Sequence, residues 1–186
     1  MRRGFKAEAE RIASRLRGEM DLPDHAPIDP RTFIGRQGIE IIELHELTGL
    51  TAASRHQLEV RDPNSWSGLT LREGSTTVIL VNPTHSLGRQ ANTLMHEWAH
   101  IHLRHKPNRV DFAAGEIMLL SDYPAEFEQE ADWLAAAALL PRSALVRCRR
   151  QSLENEQIAE RYGVSKELVV WRIRMTGIDR QFRRRA

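Results

Sequence analysis

Residues His96-Glu97-Trp98-Ala99-His100 place two imidazoles four positions apart with a carboxylate between them. On an α-helix, positions i and i+4 share a face, so both rings reach one point in space while Glu97 stands beside it. The pattern matches the H-E-x-x-H arrangement, in which the two histidines bind zinc and the glutamate serves as a general base. A chain built around it must supply a helix here, a third ligand from another element, and packing that holds the two together.

The 186 residues suffice for one domain, or a core with a small appendage. The longest nearly apolar stretch, around Trp133 to Leu140, is too short to span a bilayer, and Met1-Arg2-Arg3-Gly4 leads into charged helix, so a cytoplasmic protein without membrane contact is expected. Cys148 is the only cysteine, which rules out an internal disulfide and any cysteine-based zinc cluster. A metal here has to be held by histidine and carboxylate.

Apolar spacing predicts an opening helix from Phe5 to about Met20, a second short helix from about Pro30 to Gly35, and a strand at residues 39–44. A weak strand is expected at residues 57–60. A hairpin is expected from Leu69 to Arg72 and Thr76 to Val81, joined by Glu73-Gly74-Ser75. Helices should follow from Leu87 through His102 and from Ala125 to Leu140, stopped by Pro141, while residues 106–123 show no firm period and read as loop with at most one short helix. The fold expected is α+β: a small antiparallel sheet packed on the zinc-binding helix, in the manner of a zincin-like metallopeptidase core, with helix-turn-helix-like helices at the C-terminus. Residues 1–141 form the core with its N-terminal helices, and residues 142–186 a basic helical segment packed on it.

The third ligand is sought in Glu126-Phe127-Glu128-Gln129-Glu130-Ala131-Asp132. Glu128 and Asp132 are i and i+4, on a face shared with Ala131, Ala135 and Leu139, whose small members permit close approach to the histidine helix. Glu130 lies about 200° around the helix from Glu128 and pairs with Glu126 on what should be the solvent side. Glu128 is therefore the expected third ligand, and Asp132 is placed to accept the free ring N–H of a ligating histidine.

These segments resemble the ImmA/IrrE-type zinc metallopeptidases. The resemblance rests on Val78-Ile79-Leu80-Val81-Asn82, on Arg89-Gln90-Ala91-Asn92-Thr93-Leu94-Met95 before the pentad, and on the run from Glu128 to Pro141, covering about residues 35 to 178. It implies zinc held by His96, His100 and Glu128, with Glu97 as general base, and cleavage of a protein substrate that is a helix-turn-helix transcriptional repressor controlling stress, phage or mobile-element genes. Met95, where an alanine is common, and Trp98-Ala99, where a small residue such as Gly often takes the second place, depart from the family's usual pattern and bear on pocket shape, not on the ligands.

Peptide hydrolysis also needs a donor for the oxyanion, for which Tyr123 and nearby His and Arg side chains are candidates. Substrate could add as a strand along an edge at Val78 to Asn82. His102 and His105, at i+2 and i+5 from His100, are read as end-of-helix residues near terminal carbonyls. No base or turn motif surrounds Ser67, Ser121 or Cys148, which argues against nucleophilic catalysis. Residues 157–173, with Gly163 as the turn and Ser165 as a cap, look like a helix-turn-helix. There Lys166, Arg172, Arg174 and the terminal arginines are placed for nucleic-acid or substrate contact. Residues 142–186 carry 12 Arg and Lys against 5 Asp and Glu, in keeping with contact to nucleic acid or an acidic partner, or with a solvated helix face. The competing reading is a DNA-binding regulator or toxin-antitoxin component with a vestigial metal site.

Overall fold

A computed structural model describes residues 1–47, 51–112 and 118–183; for Ser54, Glu73, residues 109–112, residues 118–121 and Arg183 it describes the backbone only. The chain opens with α1 (Phe5–Glu19), whose predicted apolar positions Phe5, Ala9, Ile12, Ala13 and Leu16 are all buried. Helix α2 (Pro30–Arg36) starts where Asp29 accepts from the Thr32 N–H at 2.7 Å and Pro30 occupies the first turn, a position where proline sacrifices no hydrogen bond.

Strand β1 (Glu40–Glu43) is followed by α3 (Ala52–His56), which runs into a π-helical turn, Gln57–Arg61. Next come β2 (Gly68–Glu73) and β3 (Thr76–Val81), joined by a two-residue loop in which Gly74 takes the positive φ of 56° that such hairpins require. Helix α4 (Leu87–Leu103), capped by the Ser86 hydroxyl, carries the pentad. Strands β4 (Arg109–Phe112) and β5 (Met118–Ser121) precede α5 (Ala125–Leu139), α6 (Arg142–Arg150), α7 (Asn155–Tyr162), α8 (Lys166–Thr176) and α9 (Ile178–Arg183).

The five strands form one sheet in the order β1-β3-β2-β5-β4. It is mixed, not antiparallel as expected, because β1 runs parallel to β3 with Ile41 opposite Ile79. A parallel neighbour demands a crossover connection, and the segment expected as a strand at residues 57–60 supplies part of it: Leu58 turns helically and packs on Leu44, Leu71 and Leu80. β3 is interior, paired with β1 on one side and β2 on the other, so the edge expected for substrate at Val78 to Asn82 does not exist. Among the described strands the outer ones are β1 and β4. Residues 109–112 and 118–121, expected within a loop, are strands because β2 offers β5 a partner through Thr70, Leu71 and Arg72. Four-residue runs carry too little periodicity to reveal that pairing.

Helix α5 is the central helix. From Trp133 to Leu139 every side chain is buried, with α4 on one flank and α1 on another. A helix apolar all round has to be enclosed. Its C-terminal carbonyls, which no helical N–H can reach, are met by two buried arginines: Arg17 donates to Ala138 O at 2.8 Å and Arg172 to Leu140 O at 3.0 Å. One continuous cluster of buried apolar side chains extends from Phe5 in α1 to Ile178 in α9, taking in Ile158, Val164, Val169 and Ile173 of the C-terminal helices. No helix among the described residues is long and apolar enough to cross a membrane.

Candidate metal centre

The pentad occupies the last two turns of α4 and faces the first two turns of α5. Trp98 and Ala99 point away from that junction into the core, Trp98 edge-on to Phe33 with ring centroids 5.1 Å apart, and Met95 is fully buried. The residues that depart from the family's usual pattern are thus core residues. His96 and His100 face α5, where Glu128 projects from the first turn, a place where the helix dipole favours a carboxylate.

Three donor atoms converge. His96 Nε2 is 3.1 Å from Glu128 Oε2 and 3.1 Å from His100 Nε2, and His100 Nε2 is 3.8 Å from Glu128 Oε2. Bonds of 2.0–2.1 Å in a tetrahedral zinc site place ligand atoms about 3.3–3.4 Å apart, so this triangle already has the right dimensions, and its donors are two imidazoles and a carboxylate. Together His96, His100 and Glu128 form the set among the described residues able to hold a metal ion. Burial works against the charged form of His96, but hydrogen bonds to Asp132 and Glu128 hold its pKa up at about 10. His100, enclosed and beside that charge, is pushed down to about 3. The hydrogen bond with His96 holds Glu128 below the ordinary carboxylate range.

Asp132, one turn beyond Glu128, lies 2.9 Å from His96 Nδ1. By accepting that N–H, Asp132 would leave the Nε2 lone pair free for a bound metal ion. Glu97 projects to the other side, where Thr70 of β2 donates to its Oε2 at 2.7 Å. That contact depends on Gly68: a Cβ there would stand 2.4 Å from Thr93 Cγ2, so only glycine lets β2 lie this close to α4. Burial raises the Glu97 carboxyl, and the Thr70 bond opposes the rise. Thr70 is absent from the residues expected at the site, because nothing in a strand pattern says which helix the strand will cross.

Tyr123 stacks on the His100 ring with centroids 3.7 Å apart and planes 23° apart. Burial, with the charges of Glu97 and Glu128 adding to it, pushes its hydroxyl up to about 12, so the group stays a donor.

Two expectations for nearby residues are overturned. Glu130 does not face solvent: it is 3% exposed and accepts from the Arg2 backbone N–H at 2.7 Å and from Arg2 Nε at 3.1 Å. A helical wheel assumes one wet face on α5, and α1 covers it. His105 does follow the end of α4, but its ring turns to other side chains, not to the terminal carbonyls as expected. Arg104 adopts a left-handed conformation (φ 54°, ψ 41°), its N–H bonds Ile101 O, and the His105 N–H returns to His100 O at 3.0 Å. This Schellman turn swings His105 back, so that its Nδ1 is 3.0 Å from His100 Nδ1 and its ring stacks on Phe127 at 4.4 Å. His102 is exposed, lying on Trp98.

At the C-terminus, Arg172 is not available to any partner. It is fully buried, bound to Leu140 O and to the Glu10 carboxylate. Lys166 is exposed but ion-paired with Glu156, and Arg174 is exposed. Arg184 and Arg185 lie outside the described residues. The turn before α8 packs on the start of α4, where a Cβ on Gly88 would come within 2.8 Å of Ser165 N.

Comparison with known families matches residues 36–174 to Peptidase_M78, the IrrE N-terminal-like domain. The chain belongs to this peptidase family. The match covers the sheet, the pentad helix, α5 and most of the C-terminal helices, and it agrees with the resemblance drawn from the motifs. A metallopeptidase with a protein substrate is the activity that this membership and the His-His-Glu cluster support. Neither the curated proteins nor the solved structures yielded a match.

Proposed function

We propose that this IrrE-type family member is a zinc-dependent endopeptidase that cleaves a helix-turn-helix transcriptional repressor in the cytoplasm. The observation that carries the reading is the convergence of His96 Nε2, His100 Nε2 and Glu128 Oε2, with the Glu97 carboxylate fixed beside them. These three would hold the ion, and zinc bound there would polarise the scissile carbonyl and acidify the attacking water. Glu97 takes the proton of that water and delivers it to the leaving amine. Thr70 occupies Oε2 of Glu97, which leaves Oε1 as the atom that handles the proton. Asp132 keeps the His96 ring turned toward the centre, and the protonated Tyr123 hydroxyl is the donor best suited to the oxyanion. An extended substrate segment would pair with an outer strand, β1 or β4, since β3 is enclosed.

Co-expression with candidate helix-turn-helix repressors tests the reading: wild type should yield a cleaved repressor and Glu97→Gln an intact one. Equal cleavage by both would reject it.

The competing reading, a DNA-binding regulator, draws little from the geometry. Of the three basic residues assigned to such contact, Arg172 is buried and Lys166 is paired. Arg172→Ala should lower stability by roughly 2–4 kcal/mol, because Leu140 O and Glu10 lose their partner. Salt-dependent DNA binding by the purified chain, without cleavage of any co-expressed repressor, would favour that alternative.

A further inference from the structure

His96 and His100 each bring a second ring nitrogen that needs a partner. For His96 that partner is Asp132. For His100 it is His105, whose Nδ1 lies 3.0 Å from His100 Nδ1. Neutral imidazole carries one N–H. If His100 gives its Nε2 lone pair to the metal, its proton sits on Nδ1, and His105 Nδ1 has to accept it. The proton of His105 is then on Nε2, and Oε2 of Glu130 stands 3.5 Å from that atom. His105 Nε2 has no hydrogen bond among the described residues, and its side chain is only 4% exposed, so water does not readily substitute. Glu130 is in turn clamped by the backbone N–H and the guanidinium of Arg2. The direction of every link is fixed once the first is.

We propose that His105 is a positioning residue of the metal centre, accepting the Nδ1–H of His100 and directing its own Nε2–H at Glu130, which Arg2 holds from the N-terminal segment. The inference rests on the reading of His96, His100 and Glu128 as ligands. It goes beyond that reading because Arg2 lies outside residues 36–174, so the support of the centre draws on a part of the chain that the family domain does not include. The arrangement also gives His100 a partner of a different kind from that of His96. A neutral imidazole backed by a buried carboxylate takes the place of an exposed carboxylate, and this sets the ring without adding a charge in direct contact with it.

The test compares zinc affinity of the full chain by competition with a chromophoric chelator, and the visible spectrum of the cobalt-loaded protein. His105→Phe keeps a flat ring against Phe127 and removes both nitrogens. It should weaken zinc binding roughly 10–100-fold, the range for loss of a residue that orients a ligand, and shift the cobalt bands. His105→Gln, whose side-chain oxygen can accept from His100, should recover part of the loss, and Glu130→Gln should lose less than His105→Phe. Thermal unfolding of the metal-free variants separates a loosened site from a loosened fold; if His105→Phe does not fold, Glu130→Gln decides by the same two measurements. Wild-type affinity and an unshifted cobalt spectrum in a folded variant would overturn the proposal while leaving the ligand assignment intact. A folded wild type that binds neither metal would overturn both.

Discussion

His96 and His100 stand one turn apart on the same helix, yet they live in different surroundings. The side chain of His96 is 20% exposed, and its partners Glu128 and Asp132 are 42% and 60% exposed. His100 is 1% exposed, and behind it His105 and Glu130 are 4% and 3% exposed. One half of the centre opens to solvent, where a substrate can arrive; the other is sealed beneath Tyr123, Phe127 and the start of the chain. The same donor atoms should therefore differ in what they contribute. Groups on the open half can govern chemistry and metal entry at little cost to the fold, whereas groups on the sealed half are part of the core and cannot be removed without cost to it.

The largest effect expected is on turnover. Glu97→Gln should reduce peptidase activity by about 10²–10⁴-fold, the contribution of a general base, while metal analysis still finds zinc in the protein. Loss of zinc in that variant would move Glu97 from chemistry to metal binding. Next come the ligands themselves. His100→Ala and Glu128→Ala should both abolish zinc binding, but their stabilities should part: denaturant unfolding of the metal-free chain should show His100→Ala less stable by about 2–4 kcal/mol, through a cavity under Tyr123 and an unpaired His105. Glu128→Ala should cost no more than about 1 kcal/mol, because its ion pair is partly solvated. Equal losses would erase the distinction between the two halves.

A smaller effect is expected from Asp132→Asn, about 10-fold in zinc affinity by chelator competition, since the amide oxygen can still accept from His96 but the charge is gone. The smallest comes from the turn that folds His105 under His100. Arg104→Gly should stabilise the metal-free protein by about 0.5–1 kcal/mol, the left-handed penalty of a side chain less the extra freedom of glycine when unfolded. A destabilised variant would mean that the Arg104 side chain does more than occupy the turn.

Much of this site is legible in the residue spacing. Helical periodicity alone puts His96 and His100 on one face and joins Glu128 to Asp132, and the fold brings all four together. Both motifs lie within single helices, where geometry follows from residue count. Glu130 and His105 lie beyond the reach of that count. Spacing places Glu130 opposite Glu128, which is correct, but exposure on that side depends on whether another element covers it, and α1 does. The end of the helix near His102 follows from spacing, but the turn that carries the His105 ring under His100 passes through Arg104, a left-handed residue with no glycine to announce it. Charge alone suggests a surface role for Arg172, although α8 packs it against the C-terminal end of α5, where it turns inward.

The opening helix, the hairpin, the two helices that carry the donors, and the choice of four side chains that could meet there all follow from local periodicity and short-range caps, which the order of residues specifies directly. The parallel placement of β1, the strands at residues 109–112 and 118–121, the crossing of Thr70 over Glu97, and the burial of His105, Glu130 and Arg172 emerge only when the elements pack. Those outcomes depend on which surfaces cover one another, and burial is a property of pairs of elements distant in sequence. No single segment encodes it.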